Sequence, residues 1–423
     1  MLDIIENYPY LCYENNKLQI QQKDIESLAE NKPSPFFLFL LQRFQENVLE
    51  IKSKLGKHIP DLFISYAAKA NYLGRILQES HKLDLGIEAM SLFELKLAEK
   101  AGVPFNKIVL NGPAKTLDEL NYAIANKINH LNVESLNEIK QVEKIAEKLE
   151  LVQKITVRIH PKLKETTERK LLIKKNSKLG IDYSRGVKLF EYAKKSPHLD
   201  PVGVHTHVGT NLTSHEFYDE LLGFLNEYVA DLEDKLAISL SEINLGGGLA
   251  SKSTLDKEGF QLEKLGEQVS TKMDNIENKK IIIEPGRYLI EDSFVAITKV
   301  LRTKKSWGRK WAFIDVGANT LIPMRYSHYS VVPANFRGKG QYTNIGGPLC
   351  LPVDILSDEA VNFEIEEGDL LVVLNCGAYT ISMSEQFGYP RPAIYQLTNK
   401  GLTELIKPAD DMNQMINDSF YLS

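Results

Sequence analysis

The chain has 423 residues, of which 43% are hydrophobic and 25% charged, and a formal net charge of -5. That is an ordinary globular composition, long enough for two or three domains. The slightly acidic balance, with a pI of about 6.1, offers no basic stripe for nucleic acid or an anionic membrane. The cysteines are Cys12, Cys350 and Cys376, an odd and sparse set that makes no disulfide framework and fits a reducing compartment. The opening MLDIIENYPY lacks a basic start followed by an apolar run, and no apolar stretch approaches the roughly 20 residues needed to span a bilayer. A cytoplasmic location is expected.

In chain order, the first 30 residues hold one strand-like stretch, LCYENNKLQIQ. From about 35 to 285 one pattern recurs: a short β-rich run, then a helical segment. The runs are LFISYAA (62–68), LDLGIEA (83–89), KIVLNG (107–112), INHLNV (128–133), ITVRIH (155–160), PVGVHTH (201–207), EINLGG (242–247) and KIIIEPG (280–286). Between them KTLDELNYAIANK and SLNEIKQVEKIAEKLE carry apolar residues three and four apart, the helical spacing. Alternating strand and helix predicts parallel strands joined by crossovers, and eight such units predict an α/β fold of the TIM (β/α)8 barrel type, with a doubly wound sheet as the alternative. After about 287, runs such as VAITKVL, KWAFIDV, GDLLVVLN and AIYQL alternate with Gly and Pro, which predicts a mostly antiparallel β domain. The expected division is a barrel over 31–286 and a β domain from 1–30 and 287–423.

Barrels of this type do their chemistry at the C-terminal strand ends, and unusual residues gather there. Lys69 follows strand one, Glu88 and Ser91 close strand two, and Asn111 ends strand three. Arg158 ends strand five, His205 and His207 strand six, Gly246 to Gly248 follow strand seven, and Glu284 to Arg287 follow strand eight. A lysine buried at an apolar strand end has a depressed pKa, as a Schiff-base lysine needs; a rim lysine reaching solvent is the alternative. Three glycines let backbone N–H groups approach a phosphate, or simply turn the chain. Glu284 and Arg287 offer an acid for a pyridine nitrogen and a guanidinium for phosphate or carboxylate, or a structural ion pair. His207 offers a ring to stack on a flat cofactor, or is a core histidine. No metal cluster is evident; His81, His160 and His328 stand apart.

Together these segments resemble the fold-type III pyridoxal-phosphate decarboxylases, the group of ornithine, arginine and diaminopimelate decarboxylases related to alanine racemase. YAAKAN resembles the Schiff-base motif, which implies that role for Lys69. HTHVGT implies that His207 stacks on the ring, NLGGGL that Gly246, Gly247 and Gly248 hold the phosphate, and EPGRY that Glu284 meets the pyridine nitrogen while Gly286 and Arg287 serve phosphate or substrate. Arg158 joins the cofactor-binding set. GPLC resembles the segment carrying a catalytic cysteine, Cys350, across a homodimer interface, and CGAYT the one whose tyrosine, Tyr379, binds phosphate. SKLGI (177–181) and FGYPRP (387–392) also match. The resemblance implies pyridoxal 5'-phosphate as cofactor and loss of the α-carboxylate through an external aldimine and a carbanion, with Cys350 returning a proton to Cα.

Two positions depart from the family. Leu351 follows Cys350 where ornithine and diaminopimelate decarboxylases place an acid, while Asp354 is kept; and Ile322 precedes Pro323 where an arginine would meet a distal carboxylate, with Arg325 displaced. Arg325, Asp354 and Arg287 are the expected substrate contacts. NGPAKT (111–116) and the C-x-P-x-D form resemble members in siderophore assembly and carrier-linked glutamyl decarboxylation. The expected substrate is therefore a modified, conjugated or carrier-linked amino acid. Diaminopimelate decarboxylation in lysine synthesis is the alternative, and a non-catalytic decarboxylase-like regulator is a reading of another class.

Overall fold

The eight β-rich runs between residues 47 and 289 form a closed parallel barrel in the computed structural model, which describes residues 5–163, 177–321, 329–357 and 360–420. The barrel strands are β1 (Leu62–Ala67), β2 (Gly86–Ala89), β3 (Ile108–Leu110), β4 (His130–Val133), β5 (Gln153–His160), β6 (Leu199–His205), β7 (Glu242–Asn244) and β8 (Lys280–Ile283). Each pairs in parallel with the next, and β8 returns to β1 through Ile281 opposite Leu62. Strands covered on both faces read as continuous apolar runs, which is why IVL and III carry no polar alternation. The predicted barrel class is the one found.

The crossover helices begin where side chains cap them. Ser91, Thr116 and Ser135 each accept the N–H of the glutamate three residues on, Glu94, Glu119 and Glu138, at 3.2 Å, so orphan donors of the first turn are satisfied. The helix Leu136–Lys148 then buries Ile139, Val142 and Ala146 against the barrel, the three- and four-residue spacing of one helical face.

The second unit joins residues 1–46 to 290–423. Its sheet is built on the long strand Phe294–Ser306, which pairs antiparallel with Phe36–Leu40, Arg309–Ile314 and Leu370–Val373. Residues 31–46 thus fall in this unit. The run FFLFL has all five side chains buried, because neighbours cover it on both sides within that sheet. The N-terminal stretch is a hairpin, Leu11–Glu14 with Lys17–Ile20, turned by Asn15 and Asn16 in left-handed conformation, a pair suited to a two-residue turn. It seats Leu18 and Ile20 in the core with Leu38, Val295 and Val372.

Candidate cofactor and catalytic site

At the C-terminal mouth of the barrel, side chains from successive strands form one hydrogen-bonded belt. Lys69, on the turn after β1, gives its ammonium to Glu88 of β2, whose side chain is wholly buried. The amide of Asn111, just past β3, donates to Glu88 Oε1 at 2.8 Å and to Glu284 Oε2 at 3.0 Å. Glu284, just past β8, also accepts from Asn244 Nδ2 of β7 at 2.8 Å and lies 3.4 Å from His205 Nε2. Burial pushes the Glu284 carboxyl up, but His205, Lys69 and the Asn244 amide outweigh it, so the group sits well below the usual carboxylate range. Burial lowers the His205 imidazole, and the Glu284 carboxylate 3.4 Å away works against that shift.

The glycine loop is tied to the same belt. Asn244 Oδ1 accepts the Gly246 N–H at 2.8 Å, and His207 Nδ1 accepts the Gly247 N–H at 3.2 Å. Gly246 and Gly248 have φ of 68° and 118°, conformations open to glycine. A Cβ on Gly246 would strike the Thr206 carbonyl, and one on Gly248 would lie 2.7 Å from the Gly209 carbonyl. His207 keeps some solvent contact, yet protein surrounds it; burial, with Lys69 and Arg158 nearby, lowers it to about 3, a neutral ring. Arg158 reaches Glu134 Oε1 at 3.1 Å, and Arg287 is buried at the start of a short helix. Gly286 lets this segment close on β1: a Cβ there would lie 2.8 Å from that of Ala70 and 3.2 Å from that of Ala67. The small residues of YAAKA make that approach possible.

The remaining candidates lie in the second unit. Cys350 is exposed, in a loop pinned by Asp354. Asp354 Oδ1 accepts the Ala318 N–H at 2.6 Å and Oδ2 the Leu349 N–H at 2.7 Å, so this carboxylate, expected to meet substrate, is engaged by backbone of its own unit. Burial raises its pKa. Leu351 is 38% exposed beside Cys350. Tyr379 has a φ of 64°, uncommon for a large side chain and frequent at functional sites. Cys376 is buried, which pushes its thiol far up and suits packing rather than chemistry. Ile322, Pro323, Arg325 and His328 lie outside the described residues.

Sequence reasoning passed over Glu94, Lys115, Asn132, Glu134, Glu138, Thr156 and Asn244. Lys115 is buried with three acceptors, Glu138 Oε1 at 2.6 Å and the carbonyls of Asn132 at 2.7 Å and Gly112 at 2.8 Å. Glu94 and Glu138 reach back to the N–H groups of Met90 at 2.7 Å and Glu134 at 2.8 Å. The signal was legible: Ser91, Thr116 and Ser135 each stand three before a glutamate, the capping pattern after consecutive strands. Asn132, Thr156 and Asn244 are lone polar residues inside apolar strands, which demands buried partners. Among the described residues His58, Glu263 and Glu267 also lie close enough to share an ion, but Lys54 and Lys57 already pair with Glu263.

These groups fit a pyridoxal phosphate: a mouth lysine with a carboxylate beside it, a buried anionic carboxylate across the barrel, and a glycine cradle that any Cβ would fill. A parallel barrel with this site and an added antiparallel domain is the architecture of the fold-type III pyridoxal-phosphate decarboxylases. Residues 41–291 match the family model for "Pyridoxal-dependent decarboxylase, pyridoxal binding domain", and the chain belongs to that family; it is a pyridoxal-phosphate-dependent carboxy-lyase acting on an amino acid. It is 29% identical to a diaminopimelate decarboxylase of Aquifex aeolicus, over 99% of each chain, and 30% identical to one of Helicobacter pylori, over 88% of this chain and 92% of that one. The crystal structure of the diaminopimelate decarboxylase of Methanocaldococcus jannaschii superposes with a TM-score of 0.93 at 26% identity, covering 99% of both chains. That of Helicobacter pylori, complexed with L-lysine, gives 0.86 at 27% identity, covering 94% of this chain and 99% of that one.

Proposed function

We propose that this chain decarboxylates diaminopimelate to lysine. Pyridoxal phosphate, when bound, supplies a conjugated ring that delocalises the charge left at Cα as carbon dioxide departs. Lys69 is the amine that holds it covalently, kept in the barrel mouth by Glu88. Glu284, ionised in a dry interior, holds a proton at the ring nitrogen and so strengthens the electron sink. His207, neutral and hydrogen-bonded to Gly247, serves the ring face. The N–H groups of Gly246 to Gly248, with Arg287 and Tyr379, take the phosphate; Gly286 gives the room, and Arg158 is held by Glu134 at the same rim. Cys350 delivers the proton to Cα, and we assign the working form as a homodimer in which it serves the partner's site. No helix among the described residues is long and apolar enough to cross a membrane, and a cytoplasmic location agrees with the acidic, cysteine-poor composition.

The observation that carries the substrate is likeness over almost the full length to diaminopimelate decarboxylases, in sequence and structure. It favours the alternative raised from sequence over the conjugated substrate expected first. One observation keeps the conjugate as the second reading: Leu351 stands beside Cys350, and Asp354 is spent on backbone N–H groups, so neither offers a free carboxylate to a distal ammonium. The test is carbon dioxide release by the cofactor-loaded protein from diaminopimelate, lysine, ornithine, arginine, glutamate and amino-acid conjugates. Efficient release from free diaminopimelate is expected. Release from a conjugate alone would overturn the substrate and leave the decarboxylase chemistry standing.

A further inference from the structure

One residue of the belt touches both carboxylates of the site. The carboxylates of Glu88 and Glu284 act as acceptors toward Asn111, so Asn111 presents its nitrogen to them, at 2.8 and 3.0 Å. Its oxygen then faces the Asn132 amide nitrogen, and the Asn132 oxygen takes the Thr156 hydroxyl. Direction runs along this chain from the carboxylates to Thr156, whose hydroxyl is the only member free to turn and supply the final proton. Asn132, Thr156 and Glu88 are wholly buried, and Asn111 and Glu284 are 5% and 3% exposed. No water is needed to complete the set.

Two carboxylates this close in a dry interior repel, and ordinarily one would take up a proton. The other oxygen of each carboxylate also has a donor: Glu88 Oε2 accepts from Lys69, and Glu284 Oε1 from Asn244. The charged and titratable groups facing the pair are Lys69 and Glu94 beside Glu88, and His205 and Lys69 beside Glu284, with Arg158 and His207 farther round the rim. Asn111 donates to both carboxylates.

We propose that Asn111 is a positioning residue of the cofactor site: its one amide nitrogen, aimed by Asn132 and Thr156, keeps Glu88 and Glu284 together as acceptors and so couples the partner of Lys69 to the acid at the ring nitrogen. Without it one carboxylate takes up a proton, the negative charge beside Lys69 falls, and the lysine-linked nitrogen gives up its proton at lower pH.

This rests on the roles assigned to Lys69 and Glu284, so its test separates the two. The cofactor-loaded protein is titrated with pH by absorbance, without substrate. Lys69→Ala should abolish the lysine-dependent long-wavelength band; a band that persists would overturn the assignment itself. Asn111→Leu should lower the pH midpoint of that band by about one unit or more, and Thr156→Val, which touches neither carboxylate, should lower it less. If Asn111→Leu does not fold, Thr156→Val decides. Variants that lose melting temperature but keep the parent midpoint, while Lys69→Ala behaves as expected, would show a merely structural amide and overturn the proposal.

Discussion

The barrel mouth and the Cys350 loop satisfy their buried polar groups in opposite ways. In the barrel, side chain answers side chain across strands: Thr156, Asn132, Asn111, Glu88 and Lys69 link β5 back to the turn after β1. In the loop a single carboxylate, Asp354, answers backbone N–H groups from Ala318 and Leu349. A change in the belt is therefore passed from one functional group to the next, whereas a change in the loop stays with Cys350. The belt is where cofactor chemistry is guarded. The loop instead leaves Leu351 38% exposed beside Cys350.

Lys115 gives the sharpest test of the barrel side. Its ammonium is buried on three acceptors and joins the loop after β3 to β4 and to the first turn of the helix that follows it. Lys115→Met leaves Glu138 Oε1 and two carbonyls without the ammonium and should cost about 3–5 kcal/mol in urea unfolding. A loss under about 1 kcal/mol would mean the barrel loops do not depend on cross-strand partners, and the contrast would fail. Asp354→Asn tests the other side. It keeps the shape but turns one acceptor into a donor facing an N–H, at about 1–3 kcal/mol. Turnover should fall with an unchanged cofactor absorbance titration, because the belt is untouched. A shifted titration would show that the loop is not independent.

What the sequence disclosed follows the same division. The barrel was legible because strands covered on both faces must be apolar and crossover helices must repeat at three and four, so IVL and EIKQVEKIAEK declare themselves. Lys69, Glu284 and the glycines stood out as residues costly or conspicuous at strand ends. The belt beneath them did not, since an asparagine in an apolar strand reveals a need for partners without naming them: Asn111 stands 21 positions from Asn132 and 173 from Glu284, and Asn244 stands 40 from Glu284. Residues 31–46 fell within the expected barrel bounds of 31–286, and FFLFL is as apolar as a barrel strand; its pairing with Phe294–Ser306 and Ala393–Leu397 places it in the other unit. Asp354 looked like a substrate contact because a carboxylate four residues from a cysteine carries no sign that backbone will claim it.

Glu94 joins the rim of the belt to the stability of the whole barrel, and its effect is the mildest. Its carboxylate accepts the Met90 N–H at 2.7 Å, and burial, with Glu88 nearby, raises it from 4.5 to about 7. A carboxyl raised on folding binds more protons in the folded than in the unfolded chain between those two values, so stability falls as pH rises through that window. Its contribution is complete at the acid end and is lost toward neutrality, opposite in sign to a salt-bridged acid. Glu94→Gln keeps an oxygen for the Met90 N–H and removes the titration. Unfolding by urea at several pH values across the window should show the variant gaining on the parent as pH rises, by up to about 1.4 kcal/mol per unit before solvent and neighbours reduce it. Parallel curves would place the proton elsewhere on the rim.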